Sequence, residues 1–159
     1  MKTLFPLSSL ISPHAPPQNG SWNTAPEIVI CADLSQELPK KRMIESVQWW
    51  HERGYHFSVI SWNYQGKECN NGYLDGAILI TRKKSRFGPK AQTFSRVEQK
   101  KRQMLAARIE LSLPSIKKRR LLEHELGHAL GWSHSAHKGH LMYPIYQLGG
   151  WYAAGLQKH

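Results

Sequence analysis

Cysteine is nearly absent from this chain. Cys31 and Cys69 are the only two in 159 residues, too few for a disulfide framework, and neither stands in the paired spacing of a thiolate metal site. Cys31 lies in the apolar run IVICA and reads as a buried free thiol, with a single bridge as the alternative. Long apolar stretches are missing too. None approaches the roughly 20 residues of a bilayer-spanning helix, which sets the expectation of a soluble protein. No internal repeat is visible. The opening MKTLFPLSSLISPHAPP has one lysine and a short apolar stretch, but Pro6 and the serines interrupt it. No small-x-small cleavage site follows at the right distance, so no signal peptide is read. Rich in Pro, Ser and Asn, residues 1–26 read as an irregular arm ahead of one domain spanning 27–159.

Acidic residues are scarce as well: 11 Asp and Glu face 22 Lys and Arg, a formal net charge of +11 with a pI near 9.9. That is far from the balance of most enzymes and points to an anionic partner, either nucleic acid or an acidic surface. The cations cluster in RKKSRFGPK (Arg82 to Lys90), QKKR (Gln99 to Arg102) and KKRR (Lys117 to Arg120). The last is placed in the first turns of a helix, where positive charge opposes the macrodipole. No aromatic-interleaved basic motif or known nucleic-acid fold accompanies them, and a solvated face is the plainer reading.

What the chain does contain is one uninterrupted H-E-x-x-H-x-x-G-x-x-H stretch, HELGHALGWSH, formed by His124, Glu125, His128, Gly131 and His134. On a helix, His124 and His128 are four residues apart and share a face. Leu122, Leu126, Ala129 and Leu130 fall opposite, as a core-facing stripe. Gly131 admits a positive φ, so the helix can stop and the chain can turn to present His134 from outside it. Three imidazoles can close three corners of a zinc tetrahedron and leave the fourth for water, with Glu125 beside it as general base. The expected chemistry is peptide-bond hydrolysis. His137 and His140 are read as loop or rim residues, since more ligands would overfill a three-histidine catalytic site.

The long motif, with Met142 following in LMYPIY, resembles the metzincins, and within them most closely the matrixins. The resemblance is carried by HELGHALGWSHS and LMYPIY, from about Leu121 to Tyr146. It implies an α+β, zincin-like single domain: a twisted mixed sheet of about five strands with two main helices, one carrying the zinc motif. It also implies a zinc endopeptidase with one catalytic ion, a peptide or protein substrate and an extracellular setting. Met142 would form an apolar floor under the metal without ligating it. Tyr143, Pro144, Ile145 and Tyr146 would line the pocket for the side chain after the cut bond. The chain departs from the family pattern in three places. There is no PRCG-type cysteine switch, NNGYLDG carries too few acids for a calcium cage, and only GGWYAAGLQKH follows the methionine turn.

The coarse pattern before the motif suits that architecture. EIVICADL and DGAILITR read as strands, YHFSVISW as another, and Met43, Ile44, Val47 and Trp50 recur at helical spacing from Pro39 until Gly54. By the resemblance, two more strands should precede the motif helix, QTFSRVE at the edge and AARIELSL in the sheet, although EQKKRQMLAAR alone scores as helix. An extended substrate would lie along the edge strand at Thr93 to Val97. A monomeric zinc endopeptidase is the leading expectation. The alternatives are a protease recruited to nucleic acid or another polyanion, and a non-enzymatic zinc-stabilised polyanion-binding module.

Overall fold

The computed structural model describes residues 19–146. The first 18 residues of the arm, in which no signal peptide is read, and the tail GGWYAAGLQKH lie outside the described residues. In chain order the elements are β1 (Glu27–Cys31), α1 (Ala32–Ser35), α2 (Lys40–His51), β2 (Ile60–Tyr64), β3 (Ala77–Arg82), β4 (Ala91–Glu98), β5 (Gln103–Leu111), α3 (Leu113–Ile116) and α4 (Leu121–Ala129), with a 3₁₀ turn at Lys67–Cys69 before β3. The five strands form one mixed sheet in the order β2-β1-β3-β5-β4. Pairing is parallel except for β4, which runs antiparallel to β5 and forms an edge.

The near-continuous apolar runs of β1 and β3 are explained by burial on both faces. Side chains alternate between faces with period two. Ile28, Ile30, Ile78 and Ile80 join the main core under the helices. Val29, Cys31, Ala77 and Leu79 point the other way, into a smaller cluster with Tyr64, Cys69 and Leu74. There Cys31 and Cys69 form a disulfide, their Cα atoms 6.0 Å apart across a separation of 38 residues. This corrects the free-thiol reading. The apolar run that suggested a buried thiol buries half of a bridge equally well. Closing such a loop in the unfolded chain is worth on the order of 4 kcal/mol.

α2 begins after Pro39, whose carbonyl accepts the Met43 N–H, and the chain turns at Gly54 with φ 86°. Its inward face is rotated from the sequence expectation. Met43, Ser46, Trp49 and Trp50 are buried, whereas Ile44 stands exposed. β2 starts later than YHFSVISW suggested, at Ile60. The helix-favouring segment after Glu98 forms a turn through Arg102, with φ 51° there, and then enters β5. Strand pairing on both sides of β5 overrides local propensity. The N-terminal segment is tied down as well: Trp22 Nε1 donates to the Ala129 carbonyl at 2.8 Å, and Ser21 bridges to Gln103. Among the described residues, no helix is long and apolar enough to cross a membrane.

Candidate functional site

α4 carries the motif against the core. Leu122, Leu126, Ala129 and Leu130 are buried, as their spacing predicted. The helix starts at Leu121, so KKRR precedes it and does not form its first turns. Arg120 adopts a left-handed conformation with φ 65°, and Lys117 closes α3. The cations still stand beside the positive end of α4, but Glu123 answers them from inside the first turn.

Glu123 is the best-anchored group on the helix. It is 1 % exposed. Arg42 grips it with two bonds of 2.7 Å, while Ser46 donates at 3.0 Å and Arg120 at 3.2 Å. Trp50 Nε1 donates to its backbone carbonyl at 3.0 Å. Burial by itself would raise the Glu123 carboxyl, but the Arg42 bonds and charge outweigh it and hold the group below its ordinary value. This network fixes α4 to α2 immediately before the first histidine. Nothing in the motif names Arg42, and only a lone acid one residue ahead of the motif could have hinted at it.

The C-terminal end of α4 is a paired-bond glycine cap. Gly131 has φ 104°. Its N–H bonds the His128 carbonyl at 2.9 Å, and the Trp132 N–H reaches back to the Gly127 carbonyl at 2.9 Å. This is the pattern in which a left-handed residue satisfies a helix's last carbonyls. The turned chain brings His134 beside the helix. Nε2 of His128 lies 3.1 Å from Nε2 of His124 and 3.1 Å from Nε2 of His134. The ligand atoms of all three fall within 4.8 Å of one another.

The tautomers follow from their partners. A carbonyl only accepts, so Nδ1 of His124, 2.6 Å from the Leu141 carbonyl, carries its proton, as does Nδ1 of His128, 2.8 Å from the Trp132 carbonyl. Both Nε2 atoms then present bare lone pairs to the centre. Burial pushes the His124 and His128 imidazoles down to about 4 and lowers His134 too. All three are neutral at neutral pH. Converging lone pairs repel unless a cation sits among them. Zinc–nitrogen bonds of about 2.0–2.1 Å put tetrahedral nitrogens roughly 3.3 Å apart, close to this spacing. The three imidazoles fit zinc, with backbone carbonyls orienting two of them as outer partners do in metal sites.

Met142 is fully buried. A β-carbon at Gly127 would lie 2.5 Å from Met142 Sδ and 3.0 Å from Trp50 Cζ2, so the second x of H-E-x-x-H must be small for the methionine to seat. His140 lies in the loop after α4 and outside the histidine cluster, as expected, but it is fully buried and not at a rim. Its Nδ1 accepts the Met142 N–H at 2.9 Å and pins the turn. His137 is exposed, as expected.

Glu125 is 5 % exposed, and burial pushes its carboxyl above the ordinary value. Thr93 on β4 donates a 2.5 Å bond to its Oε2. A cleft of about 1110 Å³ runs between β4 and α4, large enough for several residues of extended chain. Thr93, Ser95 and Val97 line it from the strand, and Tyr143, Pro144 and Tyr146 from the segment after Met142. Ile145 stays outside the lining and is 49 % exposed. The motif pointed to neither Gly127 nor the Thr93 hydroxyl, because both act through neighbours distant in sequence.

No curated protein matches the chain. The family model for matrixins matches residues 55–158, more than half of the sequence, including the three histidines, Glu125, Thr93 and Met142. The chain belongs to the matrixin family of zinc metalloproteases.

Proposed function

We propose that this matrixin is a zinc-dependent endopeptidase in which His124, His128 and His134 hold the metal and Glu125 is the general base. One observation carries the proposal: three neutral imidazoles converge with their ligand atoms within 4.8 Å of one another, two of them presenting bare Nε2 lone pairs, beside a buried carboxylate, in a cleft open along an edge strand. Zinc bound there would supply Lewis acidity, making water nucleophilic at neutral pH and polarising the scissile carbonyl. Glu125 accepts the proton of the attacking water and later delivers it to the leaving amine. Its raised affinity for a proton suits both halves of that task. Thr93 steers the carboxylate. Backbone groups on the outer side of β4 receive an extended peptide by strand addition. Tyr143, Pro144 and Tyr146 form the wall of a side-chain pocket, and Ile145 stands outside it. The Cys31–Cys69 bridge supports an oxidising compartment for the folded protein.

The test is a peptide-library digest with the zinc-loaded protein, a chelator control and the Glu125→Gln variant. The variant should bind zinc as the wild type does yet lose at least about 100-fold in turnover, the low end of what a positioned general base contributes. Cleavage by Glu125→Gln at the wild-type rate would remove Glu125 from the role. No cleavage by the wild type, together with salt-sensitive polyanion binding, would favour the non-enzymatic module.

A further inference from the structure

The charge of the cleft names a substrate class, and the inference rests on the peptidase function proposed above. Among the described residues lining the cleft, Lys90, Arg102, Lys118, Arg119 and Arg120 are cationic, and Glu125 is the one acid. Arg120 is bound to Glu123, and Arg119 also borders a second hollow that contains Glu45 and Glu52. Arg102 stands in the turn between β4 and β5, at the other end of the strand from Lys90, so the cations at the α3 end are Lys90 and Lys118.

These two stand at the same end of the cleft. The Lys90 carbonyl accepts from Ser112 N at 2.9 Å and from Ser115 Oγ at 3.2 Å, which ties the start of β4 to α3. Lys118 follows α3 directly, its N–H bonded to the Ser115 carbonyl. Its Nζ lies 5.1 Å from the ring centroid of Tyr146, on the cleft wall. The side chain of Lys90 is exposed and that of Lys118 half-buried, so both can meet a ligand without first leaving the core. The amino-terminal end of α4 adds field of the same sign beside them. A substrate entering along β4 passes between two ammonium groups, an aromatic ring and a positive helix end.

We propose that this end of the cleft selects peptide segments bearing an Asp or Glu carboxylate within a few residues of the cut bond, with Lys90 and Lys118 as the specificity-determining side chains. An extended peptide is favoured over nucleic acid because the cations flank an edge strand that can pair with peptide backbone.

Paired fluorogenic peptides, identical except for Glu or Gln at each position flanking the cut bond, provide the test. One position should show roughly tenfold higher kcat/KM for Glu at low salt, the combined effect of two partly exposed ion pairs and a helix end. The ratio should fall towards one in 0.5 M salt and in a Lys90→Gln/Lys118→Gln double variant. Lys118→Glu should invert it, favouring Lys over Glu in the peptide. Cleavage without any Glu over Gln preference would overturn the inference while leaving the peptidase function standing. If wild type cleaves nothing, that function fails, and binding of the Glu and Gln peptides to zinc-loaded protein still reads the charge selection. A single-stranded oligonucleotide that binds the cleft while Glu and Gln peptides bind equally would overturn it in favour of a nucleic-acid partner.

Discussion

Arg42→Ala removes the main counter-charge of a carboxylate that is 1 % exposed. Breaking one partner from a buried ion pair costs about 3–5 kcal/mol, because the other charge stays buried and uncompensated. Here Ser46 and Arg120 still donate to Glu123 at 3.0 and 3.2 Å, and Arg42 itself is 18 % exposed in its side chain. The loss should therefore sit below that range, at about 2–3 kcal/mol. In thermal unfolding of the zinc-free protein this is a drop of roughly 5–10 °C. Acid supplies a second check. Glu123 is held below its unfolded value of 4.5, so the stability it confers is fully present above that value and is lost as pH falls through the lower folded one. The gap between wild type and Arg42→Ala should close over that acidic range. Replacing both partners with apolar residues, as in Arg42→Met with Glu123→Leu, should recover most of the loss. A gap smaller than about 0.5 kcal/mol, or one that does not change with pH, would refute the claim that this pair anchors α4.

Gly127→Ala should destabilise the fold by about 1–3 kcal/mol despite alanine's better helix propensity, because Met142 and Trp50 must move; zinc affinity, read by competition with a chelating dye, should fall with it. Unchanged affinity and stability would show that the packing around Met142 yields freely. Thr93→Val should lower kcat about tenfold through loss of a hydrogen bond to a charged group, with zinc affinity unaltered and Thr93→Ser restoring most of the rate. Equal kcat in the valine variant would remove Thr93 from the site. Reducing the Cys31–Cys69 bridge, or replacing both residues by Ser, should cost about 3–4 kcal/mol in urea unfolding; superposable unfolding curves with and without reductant would contradict the bridge.

Local pattern made much of this protein legible and long-range pairing hid the rest. The histidine spacing, the leucine stripe and Gly131 lie within a dozen residues, where helix geometry alone fixes who meets whom. The apolar runs of β1 and β3 were equally plain. By contrast, QKKRQMLAAR has good helix formers and becomes a turn and a strand only because β3 and β4 flank it. The inward face of α2 was misjudged at Ile44 because Ser46 is inside, held by Glu123 across a separation of 77 residues. Polar anchoring of that kind leaves no hydrophobic period to read. The disulfide ranks second to a free thiol in the sequence for a similar reason: an apolar setting suits a buried thiol and a buried bridge alike.

The end of α4 shows why so short a motif specifies so much geometry. Helix termination and ligand orientation are usually separate problems, solved by different residues. Here the same peptide groups solve both. The left-handed turn at Gly131 sends the Trp132 N–H back to Gly127, which closes the helix, and in doing so places the Trp132 carbonyl 2.8 Å from His128 Nδ1. That carbonyl forces the proton onto Nδ1 and frees Nε2. On the other side, the Met142 turn does the same for His124 through the Leu141 carbonyl at 2.6 Å, with buried His140 holding that turn in place. The glycine and the methionine thus do more than turn the chain and fill the core. Each fixes a backbone carbonyl that decides which nitrogen of a histidine can bind a metal, and this is why the spacing between them and the histidines carries chemical information.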